Sequence, residues 1–393
     1  MDVSGDVTYI LTMRLVLSLV LLLSLSTAQA WDLNDVSILL PLSHNLQSDS
    51  VLRPTTQGSA GELIPTRYLQ LIPDLAPQAE DAEVNSTLAV VGIRLDPCFP
   101  GVSPSGEPCH FQVRLIWQPM IELAQETSTR DAGVHSFYEL SQDEFTDLLQ
   151  KISALNTQAG VFNQGLPLQV NPTIAAQSGS GDLGGDYWQK LRAIVLSYTG
   201  DERLSRITFM SMQTADQMWD FGEYDISVGK IQRALIPRVQ TRLQSFINTS
   251  SDHDSFDGAA KPAPEDNPDS LDSLLKKSSS ITSSDGPTLR ASSDSLYKIE
   301  NPRLNSPETI DCVSCHVAQS ARLWEQSHFP NLKLDQSAFQ YQSTFNLQNG
   351  SASQRSTHLL RAFGYDGAEP AINQRVINES ANVAEALNAL QAR

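Results

Sequence analysis

Between Phe111 and Trp117 the chain alternates: Phe111, Val113, Leu115 and Trp117 fall on one side, Gln112, Arg114 and Ile116 on the other. Period two predicts a strand with one face in a core and the other toward solvent. The stretch Ser86 to Leu95 predicts a partner strand, so the two form a hairpin. Ser141-Gln-Asp-Glu144 has the form of a capping box, and Phe145, Leu148, Leu149, Ile152 and Leu155 follow at helical spacing. A second helix is predicted from Asp186 to Thr199, with Tyr187, Leu191, Ile194 and Tyr198 on one face and Gly200 as its stop. Arg206 to Met212 and Ile231 to Ile236 read as further strands. Residues 31–248 are therefore expected to form an α+β domain.

The pattern changes over residues 249–295. Thirteen Ser, eight Asp, four Pro and two Gly make up most of those 47 positions. Such a composition predicts a flexible linker, because little apolar surface is available to offset the entropy of ordering. Only Ser270 to Lys277 is expected to form a turn or two of helix. From Leu296 to Arg393 the pattern is that of a folded, mainly helical domain, ending in a helix over Ser380–Ala392 with Val383, Leu387 and Leu390 in a stripe.

At the other end, Met13-Arg14 precedes the apolar run Leu15 to Ser26, followed by Thr27-Ala-Gln-Ala30. A basic start, a short apolar segment and small residues at the exit predict a secretory signal peptide over residues 1–30, cleaved after Ala30. Asp2 and Asp6 stand where such a peptide is normally basic, which points to Met13 as its first residue. Twelve apolar residues are short of the roughly 20 needed to span a bilayer. The expected product is periplasmic or secreted, with no membrane span in the mature chain.

Charge narrows the functional classes. Of 393 residues, 27 are Lys or Arg and 45 are Asp or Glu, a formal net charge of −18. Nothing in that balance would neutralise a run of phosphates, so a nucleic-acid partner is excluded. A protein partner, if there is one, is expected to present a basic face.

The chemistry is concentrated in Cys312-Val-Ser-Cys315-His316. C-x-x-C-H is the attachment signature of c-type haem: two thiols one helical turn apart reach the two vinyl groups of one porphyrin edge, and the next imidazole falls beneath the iron. Ser306-Pro307-Glu308 is expected to start the helix, which continues through Ala318 to Glu325. Over about 20 residues this segment resembles the haem-attachment helix of c-type cytochromes. The resemblance implies one covalently bound haem per chain, Cys312 and Cys315 as attachment points, His316 as an iron ligand, and a role in electron transfer. A zinc site fits less well, lacking a second C-x-x-C. A thioredoxin-like pair fits less well too, lacking a preceding strand.

Single-haem members of that family usually supply a Met after the attachment site, whereas here all six Met residues precede residue 219. The sixth iron ligand is therefore left open between His358, 42 residues downstream and the first choice, His328, which Pro330 allows to fold back, Met210 or Met212, and no protein ligand at all. An open position would favour a haem enzyme or ligand sensor, peroxidase-like, with His358 and Arg361 near the iron. A third reading is an envelope binding protein whose haem is structural.

Cys98 and Cys109 bracket a Pro- and Gly-rich loop between two predicted strands, and in an oxidising compartment they read as a disulfide. The alternative there is a metal site with His110. Asp220, Glu223 and Asp225 read as a solvated acidic loop before a cation site. Asn85, Asn248, Asn349 and Asn378 match the N-glycosylation pattern without further support. No catalytic constellation independent of haem is visible.

Overall fold

The computed structural model describes residues 30–77, 84–99, 110–123, 126–161, 163–178, 183–215, 217–227, 230–264, 271–351 and 356–391. The predicted signal peptide, apart from Ala30, and Cys109 lie outside them.

The chain is α+β, built on a large antiparallel sheet. In chain order the elements begin with α1 (Leu33–Val36), β1 (Ser37–Leu39), the small hairpin β2 (Gln57–Gly58) and β3 (Gly61–Glu62), and α2 (Thr66–Leu69). The long strands follow: β4 (Leu88–Phe99), β5 (His110–Glu122), the short β6 (Thr127–Thr129), and β7 (Gly133–Leu140). Helices α3 (Gln142–Ala159), α4 (Pro172–Gln177) and α5 (Asp186–Leu196) lead into β8 (Leu204–Thr214), β9 (Met218–Ser227), β10 (Lys230–Arg233), β11 (Gln244–Asn248) and β12 (Gly258–Lys261). The C-terminal part holds α6 (Leu271–Lys276), α7 (Gly286–Glu300), α8 (Cys312–His328), the hairpin β13 (Phe363–Asp366) and β14 (Glu369–Ile372), and α9 (Gln374–Gln391). The strand order is β1-β4-β5-β7-β8-β9-β11-β12, with β6 paired to β5 and β10 to β9.

Local signals act where they were expected. Ser141 and Glu144 make the reciprocal capping bonds at the start of α3, and Gly160 ends it in the left-handed conformation. Phe145 of α3 packs on Phe111 of β5, ring centroids 5.5 Å apart. This fixes which way β5 faces: Phe111, Val113, Leu115 and Trp117 share the face that carries α3, and Arg114 and Ile116 point the other way, into the cavity.

That second face is not in solvent. Gln112, Arg114 and Ile116 are all buried, which corrects the expectation of a half-exposed strand. The same holds for Arg94 on β4. Helices α8 and α9, together with the segment leading into β13, cover this side of the sheet.

The expected linker over 249–295 is also corrected. Its described part contributes β12, which pairs with β11 in register from Ser245–Lys261 to Asn248–Gly258, then α6 and most of α7. Phe256, Leu271, Leu274, Leu275 and Leu289 are buried in the core. The serines work as small interior residues: Ser278 Oγ accepts the Phe256 N–H at 2.9 Å, and Ser293 Oγ donates to the Leu334 carbonyl at 2.8 Å. Nor does the core divide into 31–248 and 296–393, since one hydrophobic cluster runs from Trp31 to Leu387. Trp31 is tied to α9 through both its N–H and its carbonyl by Asn388.

Candidate functional site

Helix α8 begins at Cys312, with Asp311 rather than Ser306–Pro307 as its cap. The fully buried Asp311 carboxylate accepts the Ser314 N–H at 3.1 Å and the Gln244 Nε2–H at 2.8 Å. Gln244 Oε1 in turn accepts the Val313 N–H at 3.0 Å. The sheet, through β11, thus holds the first turn of α8 and aims the C-x-x-C-H residues at its inner face.

There they meet a cavity. Cys312, Cys315 and His316 line one side of it, and the inner face of the sheet lines the other with Ile116, His135, Phe137, Thr208, Met210 and Phe221. Its volume is about 160 Å³, with a mouth open to solvent. Gly133 gives room at its floor. A Cβ there would stand 2.6 Å from the Trp117 carbonyl and 2.7 Å from Arg361 Nη1.

The His316 ring is held in one tautomer. Its Nδ1 lies 2.5 Å from the Leu360 carbonyl, and a carbonyl only accepts, so Nδ1 carries the proton and Nε2 keeps its lone pair. Metal-bound imidazoles are commonly fixed by such a second bond. Burial pushes the His316 pKa down to about 4, leaving the ring neutral at ordinary pH. The Phe221 ring packs beside it, centroids 4.9 Å apart.

The two thiols are free. Burial raises Cys315 to about 11, and burial with Glu223 and Asp311 raises Cys312 well above its ordinary value. Both are therefore thiols rather than thiolates, unlike the activated cysteine of a disulfide oxidoreductase. Among the described residues no group of three or more His, Cys, Asp or Glu is placed to hold a metal ion by itself.

In a chain of net charge −18 the cavity is lined by five arginines, Arg94, Arg114, Arg206, Arg361 and Arg375, against Glu223, Asp311 and Glu379. Glu379 pairs with Arg94 at 2.8 Å and Arg375 at 2.5 Å. Burial alone would raise its pKa, but Arg375, Arg94 and Arg114 together hold it down at about 2. Arg361 is 6% exposed, and its Nε and Nη2 make no hydrogen bond. Its nearest counter-charge is Asp131 Oδ1 at 3.6 Å. A buried guanidinium with open donors beside two thiols and a neutral imidazole fits a flat, largely apolar cofactor bearing carboxylates.

The remaining sequence candidates are distributed unevenly. Met210 lines the cavity, whereas Met212 does not. His358, the first choice for the sixth ligand, is not brought to it: its ring packs on His253, centroids 4.6 Å apart, with Nδ1 3.2 Å from Thr357 Oγ1. His328 stacks on Trp324 at 4.4 Å near the far end of α8. Arg361, three residues beyond His358, does reach the cavity. Glu223 lines it, while Asp225 pairs with Arg206 at 3.0 Å and Asp220 accepts from Ser245, so the three acids form no cation site. His110 pairs with Glu139 at 2.7 Å. Cys98 lies near the end of β4, and its proposed disulfide partner Cys109 is outside the described residues. Asn248 and Asn378 are buried, which argues against sugar attachment there.

Sequence reasoning missed His135 and the arginine lining. The available signal for the arginines was the polar alternation on β5, which predicts a solvent face; residues 133–140, which form β7, carry no prediction above.

No protein family, curated protein or solved structure matches this chain. Among the described residues no helix is long and apolar enough to cross a membrane.

Proposed function

We propose that this protein binds one haem covalently through Cys312 and Cys315, with His316 as an iron ligand, and acts as an exported electron-transfer protein. One observation carries the reading: both thiols and the tautomer-fixed imidazole of His316 face the same arginine-rich cavity. In attachment, each S–H adds across one vinyl group. Sulfur bonds one carbon and the hydrogen goes to the other, so no oxidant is required. Bound haem would supply a one-electron iron couple.

The chain's own residues do the rest. His316 offers Nε2 while Leu360 holds its ring from behind. Arg361 supplies open donors for a propionate. Ile116, Phe137 and Phe221 keep water from the iron's surroundings, which reduces the reorganisation that accompanies a change of charge. Export is supported by the apolar segment Leu15–Ser26 and by Trp31, the residue after the expected cleavage point, which is buried and bonded to Asn388. The redox partner is a protein with a basic face.

The test is production with c-type haem maturation machinery, followed by intact mass and a pyridine haemochrome spectrum. The expected protein begins at Trp31 and retains one haem after acid–acetone extraction, with attachment weakened in Cys315→Ser. Protein that loses all porphyrin on extraction, or never acquires it, overturns the proposal.

A further inference from the structure

His135 lies in the middle of β7, paired with Ile116 of β5 and Thr208 of β8. Its same-face neighbours along the strand are Gly133 and Phe137. Thr208 is short and Gly133 has no side chain, so the imidazole stands clear of the sheet and lines the cavity together with His316. Neither ring nitrogen of His135 has a hydrogen-bond partner among the described residues. It is half-buried between fully buried Val134 and Ser136, and its remaining exposure is to the cavity. An imidazole at the cavity wall with neither nitrogen taken by a protein group can offer a lone pair to a metal bound there.

We propose that His135 is the second axial ligand of the iron, donated by the sheet while His316 is donated by the helix. This rests on the haem reading above and specifies its other side.

Two further observations favour His135 over the alternatives. His358 is engaged outside the cavity, its ring packed on His253 with centroids 4.6 Å apart. Met210, the other cavity-lining candidate, sits two register pairs away opposite Gly133, is only 4% exposed and is packed into the core cluster.

The experiment compares haem-loaded wild type with His135→Ala, Met210→Leu and His358→Ala by absorption and electron paramagnetic resonance, and adds carbon monoxide to the reduced forms. Wild type, Met210→Leu and His358→Ala should be low-spin and indifferent to carbon monoxide. His135→Ala should keep its covalent haem, turn high-spin, bind carbon monoxide and return to low-spin with added imidazole. His135→Met serves if the alanine variant folds poorly: it should raise the midpoint potential, because thioether ligation favours the reduced iron. A wild-type low-spin spectrum in His135→Ala, a potential unmoved in His135→Met, or a wild type that is already high-spin overturns the assignment. In those cases covalent haem still stands. Absence of covalent haem from wild type removes the parent reading instead.

Discussion

His316 donates its Nδ1–H to the carbonyl of Leu360 across 2.5 Å, joining residues 44 positions apart. Leu360 is itself held, its N–H donating to Asp131 Oδ2 at 3.0 Å. The same oxygen accepts the indole N–H of Trp219 at 3.1 Å. A buried carboxylate at the sheet thus positions the segment that orients the imidazole, and Arg361, the next residue, carries the balancing charge.

Asp131 should therefore be expensive to remove. Asp131→Ala leaves two buried N–H donors and the Arg361 charge uncompensated. Loss of one partner from a buried charged network costs about 3–5 kcal/mol. Urea unfolding should show that loss, with a smaller one in Asp131→Asn, which can still accept both bonds. Equal midpoints for wild type and the alanine variant would show that the network contributes nothing.

Glu325 on α8 gives a pH-dependent term of known sign. The residue is fully buried, with Ser292 alongside, and burial raises its pKa from 4.5 to about 8. The folded state then holds a proton that the unfolded state releases above pH 4.5. Its contribution to stability is complete below that value and declines as pH rises toward 8. At about 1.4 kcal/mol per pKa unit the decline reaches about 5 kcal/mol. Glu325→Gln should match wild type near pH 4 and exceed it increasingly toward pH 8, measured by denaturant midpoints. A constant difference across that range would contradict a protonated Glu325.

Asp311 caps α8 and also holds Gln244. Its replacement by Ala should destabilise the protein by about 1–2 kcal/mol through the lost cap and side-chain bond. The first turn of α8 should also loosen, lowering the fraction of chains that acquire haem in the maturation assay. Full haem incorporation in Asp311→Ala would mean that the cap does not position the two thiols.

Encounter with the redox partner should be sensitive to salt. A chain of −18 attracts a basic face over distances that are screened within about 10 Å at 0.1 M ionic strength. Stopped-flow association rates should fall as ionic strength rises, while the dissociation rate changes less. A flat salt profile would limit the role of the charge to solubility. Deleting residues 249–295 is no way to probe this, because β12 and the buried leucines of α6 lie within them.

What could be read from the chain alone was local. The box at Ser141 and Glu144 specifies the start of α3 because its two bonds close within three residues. The alternation over 111–117 specifies a strand because successive side chains must point to opposite faces. C-x-x-C-H places two thiols and an imidazole together because they share one turn of α8. Tertiary structure decided the rest. Gln112 and Arg114 read as a solvent-facing row, since period two is the same whether a polar side chain meets water or a covered interior, and only the cover of α8 and α9 separates the cases. The Ser- and Asp-rich stretch was expected to be mobile on composition, yet a few leucines and Phe256 suffice to anchor it when β11 offers an edge for β12. Which histidine shares the cavity with His316 depends on strand register across the sheet. That is why His358, nearer in sequence, packs on His253, while His135 from the fourth strand along stands in the site.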